Sequence, residues 1–168
     1  NNLYKKKRLL AKEQANKKQQ KVSTTTIQPS STSERLESNV WGLHFSSPVG
    51  MAAGFDKNAE VIGQLLDMGF GFVEVGGVTP LPQEGNPKPR SFRLTEDQAI
   101  INRYGLNSDG ALVVRERLAQ FKQGEHSRRK KGVLGVNLAK NTNSTSSEED
   151  YIEGLTILGN EVDFIVMN

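Results

Sequence analysis

Four short apolar runs, divided by helix-like stretches, constrain this chain more than any other feature of its sequence. They are Pro48–Ala53 (PVGMAA), Gly71–Val78 (GFVEVGGV), Val133–Leu138 (VLGVNL) and Phe164–Met167 (FIVM). Near-continuous apolar runs of this length read as strands buried on both faces, the mark of a parallel sheet covered by helices. Between the first two, Val61, Ile62, Leu65, Leu66 and Met68 fall near one helical face over 59–68, and Gly69 stands where the helix should stop. Asp56 is placed to cap that helix. A second helix, capped by Ser108 or Asp109, carries Leu112, Val113, Arg115, Leu118 and Phe121 and runs to Gln123. A third opens on the acidic run after Ser146, with Ile152, Leu155 and Leu158 as its stripe. Residues 79–90 hold four prolines and cannot be regular. After them, Ser91–Leu94 and Ala99–Ile101 suit a small hairpin.

The order is therefore β-α-β-α-β-α-β. Two architectures fit: an open doubly wound sheet, or part of a (β/α)8 barrel, which typically needs about 250 residues. Periodicity does not choose between them.

Residues 1–39 differ in kind and read as a leader or linker. Residues 1–40 hold nine Lys/Arg against three Asp/Glu, whereas the rest holds 13 against 16. Lys5-Lys6-Lys7-Arg8 opens the stretch, and Ser23 to Ser33 is almost all Ser, Thr, Gln and Pro. Too few apolar residues occur there for a packed face. A solvated tail, an organelle-targeting segment and a nucleic-acid arm all share this composition. Aromatic interleaving is nearly absent and the remaining chain is acidic, so nucleic acid is not expected as a partner. The chain has no cysteine, and its two histidines, His44 and His126, are 82 positions apart. Thiolate chemistry is excluded and no metal site is expected. No stretch approaches the 18 apolar residues of a membrane span.

In either architecture, chemistry gathers where the strands end. The first strand delivers Ala52-Ala53-Gly54-Phe55-Asp56-Lys57, and the second delivers Gly76-Gly77-Val78. The insertion ends on Asn102-Arg103-Tyr104-Gly105-Leu106-Asn107. The third strand delivers Asn137 to Asn141, and the fourth Asn168. Small residues let a planar ligand lie against backbone, Lys57 and Lys140 supply cations, and the asparagines offer donors and acceptors together. This inventory suits a neutral heterocycle with alternating N–H and C=O edges, such as a flavin or a pyrimidine. It holds no carboxylate pair and no Ser/His/Asp set, so glycoside hydrolysis and acyl transfer are poorly served.

Read in order, the residues also carry a resemblance. Gly69 to Gly76 (GFGFVEVG) leads to Val78-Thr79-Pro80, and then to Pro82-Gln83-Glu84-Gly85-Asn86-Pro87. Pro89-Arg90, Phe92-Arg93-Leu94, Glu96-Asp97-Gln98-Ala99 and Ile101-Asn102-Arg103-Tyr104-Gly105 follow. With Ala52–Lys57 upstream, the series from Val40 to Asn168 resembles class 2 dihydroorotate dehydrogenase, the quinone-linked flavoenzyme family of pyrimidine synthesis. The resemblance implies a (β/α)8 barrel over 40–168, of which these residues are the first half. It implies FMN at the strand ends, oxidation of dihydroorotate to orotate, reoxidation by ubiquinone, and a place at the mitochondrial inner membrane.

By the same resemblance, Ala52, Ala53, Gly54, Lys57, Gly77, Asn137 and Asn168 would hold FMN. Lys57, Asn102, Arg103, Tyr104, Gly105, Leu106 and Asn168 would contact the substrate, and Arg93 would stand near the quinone entrance. The family's catalytic base is a serine expected beyond Asn168, so these residues alone are expected to be inactive. Gly77 stands where the family usually has Ser or Thr, and Leu106 where it usually has Phe. The polar stretch over 23–38 lacks the apolar helical pair with which the family lines its quinone tunnel. Two alternatives remain open: a soluble fumarate- or NAD-linked dihydroorotate dehydrogenase, and a non-catalytic protein acting through its basic leader.

Overall fold

The computed structural model describes residues 36–124 and 132–168. The readings made of the leader over 1–35 lie outside them. An antiparallel hairpin of β1 (Ser38–Val40) and β2 (Leu43–Phe45) comes first and straddles the expected boundary at 39/40. Helix α1 (Ile62–Asp67), β3 (Phe72–Val78), the hairpin β4 (Ser91–Leu94) and β5 (Ala99–Asn102), and α2 (Ala111–Gln123) follow. Then come β6 (Val133–Leu138), α3 (Ser147–Leu158), a 3-10 turn (Gly159–Glu161) and β7 (Phe164–Met167).

Strands β3, β6 and β7 form one parallel sheet in chain order. The expected first strand, Pro48–Ala53, is not a regular strand. Only Met51 forms a bridge, to Val73, although Gly71 N–H to Val49 O and Gly54 N–H to Gly76 O continue the same parallel edge. The segment pairs along β3 and then turns away at Gly54, whose φ is +105°. All six β6 residues are buried, as are Val73, Val75 and Val78 of β3, as near-continuous apolar runs require. Ile62, Leu65 and Leu66 of α1, Val114 and Leu118 of α2, and Leu158 of α3 complete the core.

The helices depart from expectation at their ends and in their stripes. Helix α1 starts at Ile62 because Asp56 spends its carboxylate on a turn before it. Asp56 Oδ1 accepts from Glu60 N–H (2.8 Å) and Oδ2 from Val61 N–H (2.9 Å). The helix ends as expected, with Gly69 at φ +103° just beyond Met68. The N-cap of α2 is Gly110, not Ser108 or Asp109. Ser108 Oγ instead accepts the N–H of Gly110 and of Thr79, and Asp109 pairs with Arg117 at 2.6 Å. Ala111, Val114 and Leu118 face the core, which leaves Leu112 and Val113 exposed. On α3, Gly154 and Leu158 face inward, while Ile152 and Leu155 are exposed. A Cβ at Gly154 would lie 3.2 Å from Leu138 Cδ2, so the helix sits on β6 through its smallest residue.

At the N-terminal end of the sheet, Phe45, Phe72 and Phe164 pack edge to face at 5.8 and 6.2 Å. They line an apolar groove of about 430 Å³ together with Trp41 and Pro48. Among the described residues, no helix is long and apolar enough to cross a membrane.

Candidate ligand site at the strand ends

The parallel register sets the site. Gly76 lies opposite Asn137, and Asn137 opposite Val166, so β3, β6 and β7 deliver Gly77, Asn137 and Asn168 to one edge. The register slips between Gly76 and Val78, which sets Gly77 in a bulge. Gly76, at φ +120°, precedes it, and a Cβ there would stand 2.5 Å from Asn137 O. The peptide between Gly76 and Gly77 is cis. Gly77 leaves a narrow niche. A Cβ at that position would lie 3.2 Å from Ala139 Cβ and 3.5 Å from both Asn137 Oδ1 and Leu106 Cδ2. Gly77, Asn137 and Leu106 are therefore brought together.

Asn137 is 7% exposed, and its two amide atoms have different fates. Nδ2 donates to Glu74 Oε1 at 2.8 Å. Oδ1 is buried and has no partner. An unpaired buried acceptor costs about 1–3 kcal/mol, a penalty that an arriving donor would relieve.

Lys57 follows the Gly54 turn, half-buried, with no hydrogen bond or ion pair to any described residue. Burial, and then the positive charge of Arg90, hold its ammonium below the usual lysine pKa. A cation in this state gains from an arriving anion. Ala53 is half-buried beside it, while Ala52 and Gly54 are exposed.

The insertion supplies the remaining residues. Leu106 O accepts from Gln83 Nε2 at 2.6 Å, and the Asn86 amide donates to Arg103 O at 2.8 Å. Gly105, at φ +69°, packs against Asn86. The Arg103 guanidinium turns back onto Pro89 O (Nη2 at 3.0 Å) and lies 5.9 Å from the Phe92 ring centre. Tyr104 carries the Arg90 guanidinium on its face. Asn102 is exposed at the end of β5, and Arg93 is exposed on β4 opposite Ile100. Asn168 is exposed, and its main-chain oxygen accepts from the Tyr151 hydroxyl.

One strand-end residue, Asn141, is consumed by structural bonds. Asn141 spends its amide on Leu81 N–H, Leu81 O and Gln83 Oε1, and its own N–H goes to Asp150. Asn107 lies on the insertion's flank, beside a separate cavity of about 560 Å³ that Gln83 and Arg90 also line. Asn107 Oδ1 and Arg90 Nε are both buried there without partners. Sequence reasoning missed Arg90 and Glu74 as members of the site. For Glu74 a signal existed: a charged residue at the centre of an otherwise apolar strand. Among the described residues, no group of three His, Asp or Glu side chains is placed to hold a metal.

The family pattern described as dihydroorotate dehydrogenase matches residues 35–168. The mouse protein named mitochondrial dihydroorotate dehydrogenase (quinone) is 49% identical over 165 residues, covering 96% of this chain and 42% of the mouse protein. The rice protein of the same name is 48% identical over 151 residues, covering 77% of this chain and 31% of its own length. The crystal structure of the Eimeria tenella enzyme in complex with ferulenol superposes with a TM-score of 0.76 at 49% identity. That match covers 84% of this chain and 38% of the Eimeria chain. The chain thus spans between about a third and two fifths of the length of these relatives, and its parallel sheet corresponds to part of a (β/α)8 barrel. On this match, continuous from the β1 hairpin to the end of β7, the chain belongs to the dihydroorotate dehydrogenase family.

Proposed function

We propose that this chain forms the first half of a quinone-linked dihydroorotate dehydrogenase barrel, oxidising dihydroorotate to orotate in pyrimidine synthesis. The observation that carries this reading is the donor set at the strand ends: an unpaired cation, a buried unpaired acceptor and a side-chain-free niche within one edge. These features fit FMN, which when bound supplies the two-electron acceptor for the hydride leaving the substrate. Ala52, Ala53 and Gly54 would let the flavin ring lie against backbone, with Gly77, Asn137 and Asn168 along its edge. Lys57 would bind the substrate carboxylate, and the recovered charge attraction would offset its desolvation. Asn102 and Asn168 would pair with the pyrimidine's N–H and C=O groups, and Tyr104-Gly105-Leu106 would cover it, with Arg103 holding the covering loop to Pro89. The substrate proton would go to a serine that the family resemblance places after Asn168.

Ubiquinone is the proposed final acceptor, with Arg93 near its entrance, and the mitochondrial inner membrane the proposed location. The mitochondrial names of the mouse and rice relatives support this. Residues 1–39 would then be the leader and 40–168 the barrel portion. The test is to express the longest protein the gene encodes and assay dihydroorotate oxidation with ubiquinone, fumarate and NAD in parallel. Turnover with quinone alone is expected. Turnover with fumarate or NAD instead would replace the quinone assignment, and no flavin and no turnover would remove the enzymatic reading.

A further inference from the structure

Glu74 is half-buried at the centre of β3, within a strand that is otherwise apolar or glycine, and it forms no ion pair among the described residues. The one polar contact of its carboxylate there is with Asn137 Nδ2. A carboxylate only accepts, whereas an amide offers both a donor and an acceptor. The contact therefore fixes the Asn137 amide in one of its two orientations: NH2 towards Glu74, and Oδ1 towards the Gly77 niche. Reversing the amide would set two acceptors against each other.

We propose that Glu74 is a positioning residue for the FMN site, holding the Asn137 amide so that it presents an acceptor, and no donor, to the bound group. The inference rests on the proposed function and adds the polarity of one contact: the ligand atom meeting Asn137 must carry a hydrogen. The observations behind it are the 2.8 Å bond, the buried unpaired Oδ1, and the niche within 3.5 Å of that oxygen. Packing alone does not account for Glu74, because an apolar residue of similar size would suit the Phe72 and Phe164 surroundings better.

Glu74→Lys tests it in the longest protein the gene encodes. A lysine at 74 only donates, so Asn137 must turn its Oδ1 towards it and present a donor to a donor. FMN affinity, followed by flavin fluorescence, should fall about 10- to 100-fold. In the double variant Glu74→Lys/Asn137→Asp, the ammonium pairs with one carboxylate oxygen and the other again faces the niche. At least a tenfold part of the lost affinity should return, which a fold broken by the lysine would not allow. Wild-type affinity in Glu74→Lys, or a double variant weaker than both single ones, would overturn the proposal. The exchange rate of the Asn137 Nδ2 protons, measured by NMR without flavin, reads the same contact independently. Faster exchange in Glu74→Lys is expected, and an unchanged rate counts against Glu74. If the wild-type protein binds no FMN, the proposed function fails, and the exchange measurement still decides whether Glu74 orients Asn137.

Discussion

The Arg90 guanidinium lies over the ring of Tyr104, 4.8 Å from its centre, while Nη1 donates to the carbonyls of Glu84 (2.6 Å) and Asn86 (3.2 Å). One side chain thus ties the start of the proline-rich insertion to its end, and its charge also reaches Lys57. Arg90→Gln should release Tyr104, raise proteolytic nicking within 84–104, and raise the Lys57 pKa. The rise should stop short of the free-lysine value of 10.5, because burial is the larger cause of the shift. A 15N titration of Lys57 Nζ checks this, and an unmoved pKa would remove Arg90 from the electrostatics of the site.

Lys57 makes stability depend on pH in a defined direction. Its folded pKa lies below the unfolded value of 10.5, so between the two the unfolded chain binds more protons. Stability from this group should rise with pH through that window, and its penalty should be complete below the folded pKa. Lys57→Met should therefore raise the thermal midpoint of the ligand-free protein at neutral pH while abolishing orotate binding. Orotate should raise the Lys57 pKa in the wild type. A variant that is less stable at neutral pH and still binds orotate would contradict both statements.

Gly77 offers a sharper test of the unpaired acceptor. A serine Cβ there would sit 3.2 Å from Ala139 Cβ, which asks for a few tenths of an ångström of give, and 3.5 Å from Asn137 Oδ1. Its hydroxyl would come within reach of that oxygen. Satisfying a buried acceptor is worth about 1–3 kcal/mol, more than the mild crowding. Gly77→Ser should stabilise the ligand-free protein, whereas Gly77→Val, which adds bulk and no donor, should destabilise it. Chemical denaturation of the two variants separates them. Equal losses would mean that crowding dominates.

The order of elements along the chain, the parallel sheet and the β4–β5 hairpin were legible because short apolar runs and proline clusters act locally. The β1–β2 hairpin was not, since its three-residue strands carry no pattern of their own. The helix stripes misled for a related reason. Apolar residues mark a face only when the contact is made by bulk, and α3 meets β6 through Gly154. The candidate residues at the strand ends were visible as types, but their division of labour was not. That Asn141 is consumed by Leu81 and Gln83, while Asn137 keeps a free acceptor, depends on bonds spanning about 60 residues.

Two glycines that look alike in sequence should respond oppositely to alanine. Gly135 lies in β6 opposite Phe164, and a Cβ there would fall 2.2 Å from the Phe164 ring. The ring must leave its edge contact with Phe72 and swing into the groove it lines, so Gly135→Ala should cost about 1–3 kcal/mol by overpacking. Gly154 lies inside α3, where alanine gains about 1 kcal/mol of helix propensity. Its Cβ would meet the side chain of Leu138, Cδ2 at 3.2 Å and Cδ1 at 3.6 Å, of which only the first is tight, and a small rotation relieves it. Gly154→Ala should be neutral or stabilising by up to about 1 kcal/mol. Urea midpoints of the two variants measured side by side decide the matter. Destabilisation of both would show that α3 tolerates no added atom against β6, and that the close seat of this helix, more than its propensity, sets the stability of the strand-end edge.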